Sequence, residues 1–264
     1  MRQRVAWVTG ASRGIGRGTA VALGQAGWIV YLTARSSLTG RSGQLPGTVE
    51  ETAAAATNAG GTAWPIVCDH SDEAAVAAVA DRIDREHGCL DLLVNNAWAG
   101  YERVNAGEWQ EWTAPFWQQP TQHFDAMFDG GVRMHYTTAA QAAPLLIKRR
   151  GSMTVTLSVA RPEGDQPGGV AYAMAKAADD ALAAAVARQL ALYGITSVAL
   201  HPGWVRTEGV MQFADQLDLA DSQSPEGVGR VIAALADDPG KASLSGRAWT
   251  VSDLAATYGV DATS

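Results

Sequence analysis

Six short apolar runs recur along the chain, and none alternates cleanly between apolar and polar residues. They are VAWVT (5–9), IVYLT (29–33), AWPIV (63–67), LDLLV (90–94), MTVTL (153–157) and TSVAL (196–200). A strand with one wet face shows a two-residue period, whereas a strand covered on both faces does not. The runs therefore predict a parallel sheet buried on both sides. Longer helical patterns separate them, in β-α-β-α order throughout. A weaker seventh run lies near 248–251. The expected fold class is α/β, a single-domain, Rossmann-like doubly wound parallel sheet of about seven strands with helices on both faces. At 264 residues and 47% hydrophobic composition, the chain can bury one such core, so 1–264 reads as a single domain. Two helix starts carry their own signal: Thr48 and Glu51 as a capping box, and Ser224 as an N-cap with Pro225 at the first helical position.

Several function classes are excluded early. A formal net charge of −7 is the wrong sign for a nucleic-acid footprint. The one basic run, Lys148 to Arg150, reads as the solvated end of a helix. Cys68 and Cys89 stand alone, so neither a disulfide framework nor a metal site is expected. The N-terminus enters an apolar strand directly, and no apolar run reaches membrane-spanning length. A soluble, cytoplasmic protein with no nucleic-acid or membrane partner is the expectation.

The first strand runs into TGASRGIG, and the next helix opens inside that segment. Gly10, Gly14 and Gly16 permit a tight turn and let backbone amides approach a pyrophosphate, with the helix N-terminus adding a partial positive charge. Such a loop between a first strand and first helix points to a dinucleotide. Ser12, Arg13 and Ile15 lie in the same loop and join the candidate contacts. An acid at the end of the second strand would hold ribose hydroxyls and favour NAD. Here that strand ends in Arg35, and Arg13 stands in the loop. Two guanidinium groups suit a 2′-phosphate, which favours NADP(H). Asp69 is placed either to receive the adenine amino group or to cap the next helix. Asn95, opening NNAWAG with Ala97 inside it, falls beside the adenine-side ribose.

Farther on, Tyr172 and Lys176 stand four residues apart, on one face of an alanine-rich helix. A free phenol is a poor base at neutral pH, and an ammonium one turn away favours its ionised form. The pair can therefore exchange a proton with a carbonyl or alcohol oxygen while hydride moves at carbon. Ser158, after the fifth strand, is placed to hydrogen-bond that oxygen.

In TGASRGIG, NNAWAG, LSVA, YAMAK and HPGWVRTE, in that order, the chain resembles the short-chain dehydrogenases/reductases over nearly its whole length. The resemblance implies that Ser158 orients substrate, Tyr172 is the acid/base, and Lys176 tunes the tyrosine and binds ribose. It also implies nicotinamide-side contacts from Pro202, Gly203, Val205 and Thr207, and a homodimer or homotetramer. One subgroup shares an aromatic-bearing loop after the fourth strand and a tail like LSGRAWTVSDLAATYGV. The chain departs from the family twice near the site. Gly131 stands where most members carry an asparagine, in a helix distorted around a water that relays protons to the lysine. Gly130 and Gly131 would still ease such a distortion and leave a carbonyl free for water. Trp98 fills the usual glycine position of NNAG, to wall the substrate pocket or to pack against the loop.

Two segments interrupt the rhythm. The glycine- and serine-rich stretch 34–47 is expected to be mobile. The stretch 98–119 holds Trp98, Trp109, Trp112 and Trp117 and is expected to be a substrate-side loop. With Phe116, Trp204, Met211 and Phe213, these aromatics suit a hydrophobic small-molecule carbonyl or alcohol, and Arg103 or Arg206 could add one polar contact. Two alternatives remain beside the NADP(H)-dependent oxidoreductase. One is a non-enzymatic NADP-binding sensor or scaffold on the same fold; the other is an NAD-dependent alcohol dehydrogenase.

Overall fold

A computed structural model describes residues 3–100, 114–159 and 169–264. Seven strands form one parallel sheet in the order β3-β2-β1-β4-β5-β6-β7. They are β1 (Val5–Thr9), β2 (Ile29–Ala34), β3 (Thr62–Val67), β4 (Leu92–Asn95), β5 (Met153–Leu157), β6 (Thr196–His201) and β7 (Ala248–Thr250). The helices between them are α1 (Gly14–Gln25), α2 (Val49–Asn58), α3 (Glu73–His87), α4 (Gln122–Met127), α5 (Arg133–Ile147), α6 (Gly169–Leu190), α7 (Pro225–Asp237) and α8 (Val251–Tyr258). Strand order reverses between β1 and β4, which opens a crevice beyond their carboxyl ends.

The absence of alternation in the strands has the expected cause. Along β1, Ala6 and Val8 face a core layer with Ala20 and Leu23 of α1 and Val228, Val231 and Ile232 of α7. Val5 and Trp7 face the opposite layer, with Val76, Val79 and Ile83 of α3 and Leu145 and Leu146 of α5. Both faces are dry, so every position is apolar or small. β3 departs from this pattern: it is the sheet edge, and Trp64 and Val67 are exposed. Pro65 is tolerated there because an edge strand has a side with no ladder to complete.

Thr48 accepts the Glu51 N–H, and Ser224 accepts that of Gly227, so both N-caps form. Lys148 and Arg149 end α5 in ion pairs with Asp84 and Asp91. The 34–47 stretch makes several specific contacts. Ser36 Oγ bonds Ser42 Oγ and receives Arg13, and Leu45 is buried. Among the described residues, no helix is long and apolar enough to cross a membrane.

Candidate active site

The loop after β1 sits at the crevice. Gly10 and Gly14 have φ of +64° and +54°, a region that strains any side-chain-bearing residue. Gly16 packs so closely on the Gly10 carbonyl and Asn96 Nδ2 that no Cβ fits. Asn96 clamps the loop, donating to the carbonyls of Thr9 and Gly10 at 2.8 and 3.2 Å. Ser12 is buried, and Ile15 packs toward the core. The Gly14 N–H donates to Glu208 Oε2 at 2.8 Å, so one amide of the loop already carries an anion.

Glu208 belongs to the segment after β6. Within it, Val205 bridges Gln223, the Thr207 N–H bonds the Val205 carbonyl, and the Thr207 side chain lies against Gly14. Pro202 is buried, and Gly203 turns the chain at φ +70°. Of these candidates, Thr207 is thereby set against the glycine loop.

On the other side, Arg13 donates to Ser36 Oγ at 2.7 Å, just past β2. Burial lowers the Arg13 pKa; Glu208 pulls it up, while Arg35 and Arg41 push it further down. Arg13 thus senses both Arg35 and Arg41 beyond β2, a strand that ends without an acid. Asp69 accepts the N–H and hydroxyl of Ser71 at 2.9 and 2.7 Å. Burial alone would raise the Asp69 carboxyl; Ser71 and the Arg35 charge outweigh that and hold it below the usual range. Arg35, Asp69 and Ser71 line an open cavity of about 270 Å³ together with Ala99, Gly130 and Met134. Asn95 is fully buried, and its amide donates to the His135 carbonyl at 3.1 Å, which fastens α5 to β4. Ala97 is buried against Gly10.

The helix α6 carries Tyr172 and Lys176, both more than nine-tenths buried. Lys176 Nζ lies 5.8 Å from the Tyr172 ring centre. Ser158, at the end of β5, is also buried, and its hydroxyl donates to the Lys176 carbonyl at 2.9 Å. The serine is therefore anchored to the turn of helix that bears the pair. Lys176 has two further neighbours. Its ammonium bonds Asp179 Oδ2 at 3.1 Å and sits 3.5 Å from the centre of the Trp98 ring. Asp179 is completely buried, and its other oxygen bonds His135 Nδ1 at 2.8 Å. Burial lowers the Lys176 pKa, and Asp179 and Asp180 pull it back up.

Trp98 explains the glycine at position 131. A Cβ built on Gly131 would overlap the Cε3, Cζ3 and Cη2 atoms of the indole. The tryptophan fills the volume into which a side chain at 131 would project. Its ring also meets Tyr172 edge-on, at 5.8 Å between centres and 86° between planes. The expected helix distortion is present as a π-turn over Phe128–Val132. The expectation of an open carbonyl is corrected at Gly130, whose oxygen accepts the Ala99 N–H at 2.7 Å.

The model of the short chain dehydrogenase family matches residues 4–218. The chain belongs to this family. Dehydrogenase/reductase SDR family member 1 of mouse is 37% identical over 98% of this chain and 83% of its own length. Among solved structures, a short chain dehydrogenase from Mycobacterium thermoresistibile is 30% identical with a TM-score of 0.82, covering 98% of this chain and 88% of that one. A 3-oxoacyl-[acyl-carrier protein] reductase from Brucella melitensis, solved in complex with NAD, shares the fold at 23% identity and a TM-score of 0.79, covering 95% of this chain and 96% of that one. As a short-chain dehydrogenase/reductase, this protein is an oxidoreductase of the nicotinamide-dependent kind.

The residues present fit such a cofactor. The glycine loop offers an amide that already holds a carboxylate oxygen, at the N-terminus of a twelve-residue helix. Of the aromatic candidates, Phe116 and Trp117 are exposed and pack edge-to-face, while Trp204 and Met211 are exposed on the segment after β6. Phe213 is partly buried in the 3-10 turn over Val210–Gln216. Arg206 spends its guanidinium on Ser222 and the Thr263 carbonyl. Arg103, Trp109 and Trp112 lie outside the described residues. Sequence reasoning missed Asn96, Arg41, Glu208, His135 and Asp179. Only Asp179 had a local signal, an acid three residues past the lysine on the same helix.

Proposed function

We propose that the protein is an NADP(H)-dependent oxidoreductase that transfers a hydride between nicotinamide and the carbonyl or alcohol carbon of a hydrophobic small molecule. Tyr172 is the general acid/base. The observation that carries this reading is the buried Tyr172–Lys176 pair on α6, with Ser158 anchored to the same turn. A bound nicotinamide supplies the hydride. In the reductive direction Tyr172 gives its proton to the carbonyl oxygen as the carbon gains hydride, so a C=O becomes CH–OH. Ser158 orients that oxygen. To donate to it, the hydroxyl must turn from the Lys176 carbonyl, a rotation about one bond. Lys176 stabilises the phenolate left behind and holds ribose hydroxyls. Exposed Trp204 and Met211, with Phe116 and Trp117, supply apolar surface for the substrate.

The preference for NADP(H) rests on Arg13, whose pKa Arg35 and Arg41 both lower, at the point where β2 ends without an acid. A 2′-phosphate would answer this excess of positive charge. Titrating NADPH and NADH by fluorescence checks it. Arg35→Ala should weaken NADPH by roughly tenfold or more and leave NADH little changed, since a charge-assisted bond is worth about 1.5–3 kcal/mol. Equal affinities in the wild type, unaltered in the variant, would remove the claim for NADP(H).

Glu208 competes for the amide that a pyrophosphate needs. Glu208→Gln should tighten binding of either dinucleotide by about 2- to 5-fold, the scale of one charge at a helix N-terminus. Weaker binding in the variant would mean that Glu208 supports the loop instead. The reaction itself is tested with a panel of aliphatic, aromatic and steroidal ketones and aldehydes, following NADPH absorbance. Turnover that survives intact in Tyr172→Phe would rule out the role given to that residue.

A further inference from the structure

Lys176 is a buried cation, and a buried cation needs compensation on every side that lacks water. The groups facing it come from several elements. From α6 itself come Tyr172, Asp179 at 3.1 Å and, farther off, Asp180. From the end of β4 comes the Trp98 ring face at 3.5 Å, an attractive but uncharged partner. His135 of α5 bonds Asp179 and lies 6.4 Å, centre to centre, from the Trp98 ring, while His201 of β6 bonds Asp180 at 2.9 Å. Gly131 contributes no side chain, because Trp98 occupies the space. Asp179 is thus the one anion bonded to the ammonium among the described residues.

The carboxylate is itself fixed. Both its oxygens are engaged, Oδ2 by Lys176 and Oδ1 by His135, and no part of it touches solvent. The backbone of His135 is in turn held by the Asn95 amide. A fully buried carboxylate on a helix otherwise rich in alanine has a large desolvation cost, and a packing role alone would be served by an apolar residue.

We infer that Asp179, oriented by His135, is the positioning residue that keeps Lys176 protonated and aimed beside Tyr172. The inference rests on the reading of Lys176 as the group that tunes the tyrosine, and it names what holds that lysine in its charged form. Without Asp179, Lys176 would face an indole, a phenol and a more distant acid already bonded to a histidine. Burial would then expel its proton at a lower pH, and Tyr172 would lose its cation.

The chain has three lysines, Lys148, Lys176 and Lys241, so each can be followed singly by NMR of protein labelled with ¹³C at lysine Cε. The Lys176 signal is assigned by its loss in Lys176→Arg. In Asp179→Asn the acid dissociation constant of Lys176 should rise at least tenfold relative to wild type, with Lys148 and Lys241 unmoved. An unchanged Lys176 titration, or one moved to higher pH, would overturn the inference. Asp179→Ser, smaller and also neutral, gives the same test should the asparagine variant fail to fold. The measurement needs neither cofactor nor substrate. It therefore separates from the catalytic reading, which fails on Tyr172→Phe activity whatever Lys176 does.

Discussion

Tyr172→Phe should retain the fold and the dinucleotide while losing about 10³-fold in kcat for carbonyl reduction, within the range spanned by general acids. That is roughly 4 kcal/mol of transition-state stabilisation. The substitution removes one oxygen from a ring packed edge-on against Trp98, so packing is preserved. The split between parameters is diagnostic. A loss in kcat with KM little changed marks a group used in the transition state, whereas a rise in KM alone would mark a binding group. Stopped-flow reduction of the best ketone from the panel, with NADPH binding measured separately, distinguishes the two.

Gly131→Asn, which places at this position the residue that the family resemblance leads one to expect, should be strongly destabilising here. Its Cβ would overlap the six-membered ring of Trp98, and that ring is pinned between Lys176 and Tyr172. Overpacking of a tight site costs about 1–3 kcal/mol and occasionally more. We expect the upper end, about 3 kcal/mol, seen as a fall in melting temperature of roughly 6–12 °C. Adding Trp98→Gly should recover much of the loss, because it empties the volume that the asparagine needs. If the double variant is as unstable as the sum of the two singles, the two positions are not complementary.

That complementarity marks the boundary of what the sequence discloses. The sheet was legible because double burial removes the two-residue period, and β1 and β5 fall at their expected limits. β3 was misjudged as a covered strand because Trp64, Ile66 and Val67 are apolar whether or not a layer lies over them; its edge position follows from strand order, which no single run encodes. At the site, Tyr172, Lys176 and the glycines announce themselves by local spacing. Trp98 and Gly131 each look like a defect when taken alone, and only folding shows that one fills the space left by the other. The same holds for His135 and Asp179, 44 residues apart, and for Glu208 and Gly14, 194 residues apart. Sequence separation of that order hides a pair from any reading of local pattern. The tertiary fold brings each pair together through β4, α5 and the segment after β6.

In the proposed reaction, hydride passes from nicotinamide to a carbonyl carbon beside Tyr172. NADPH carrying deuterium at both C4 positions, incubated with the wild-type protein and the ketones and aldehydes of the panel, tests it most directly. The expected result is an alcohol bearing one non-exchangeable deuterium on the carbinol carbon, formed by Tyr172→Phe about 10³-fold more slowly than by wild type. Product without the label, or labelled product formed by the variant at the wild-type rate, would overturn this reading.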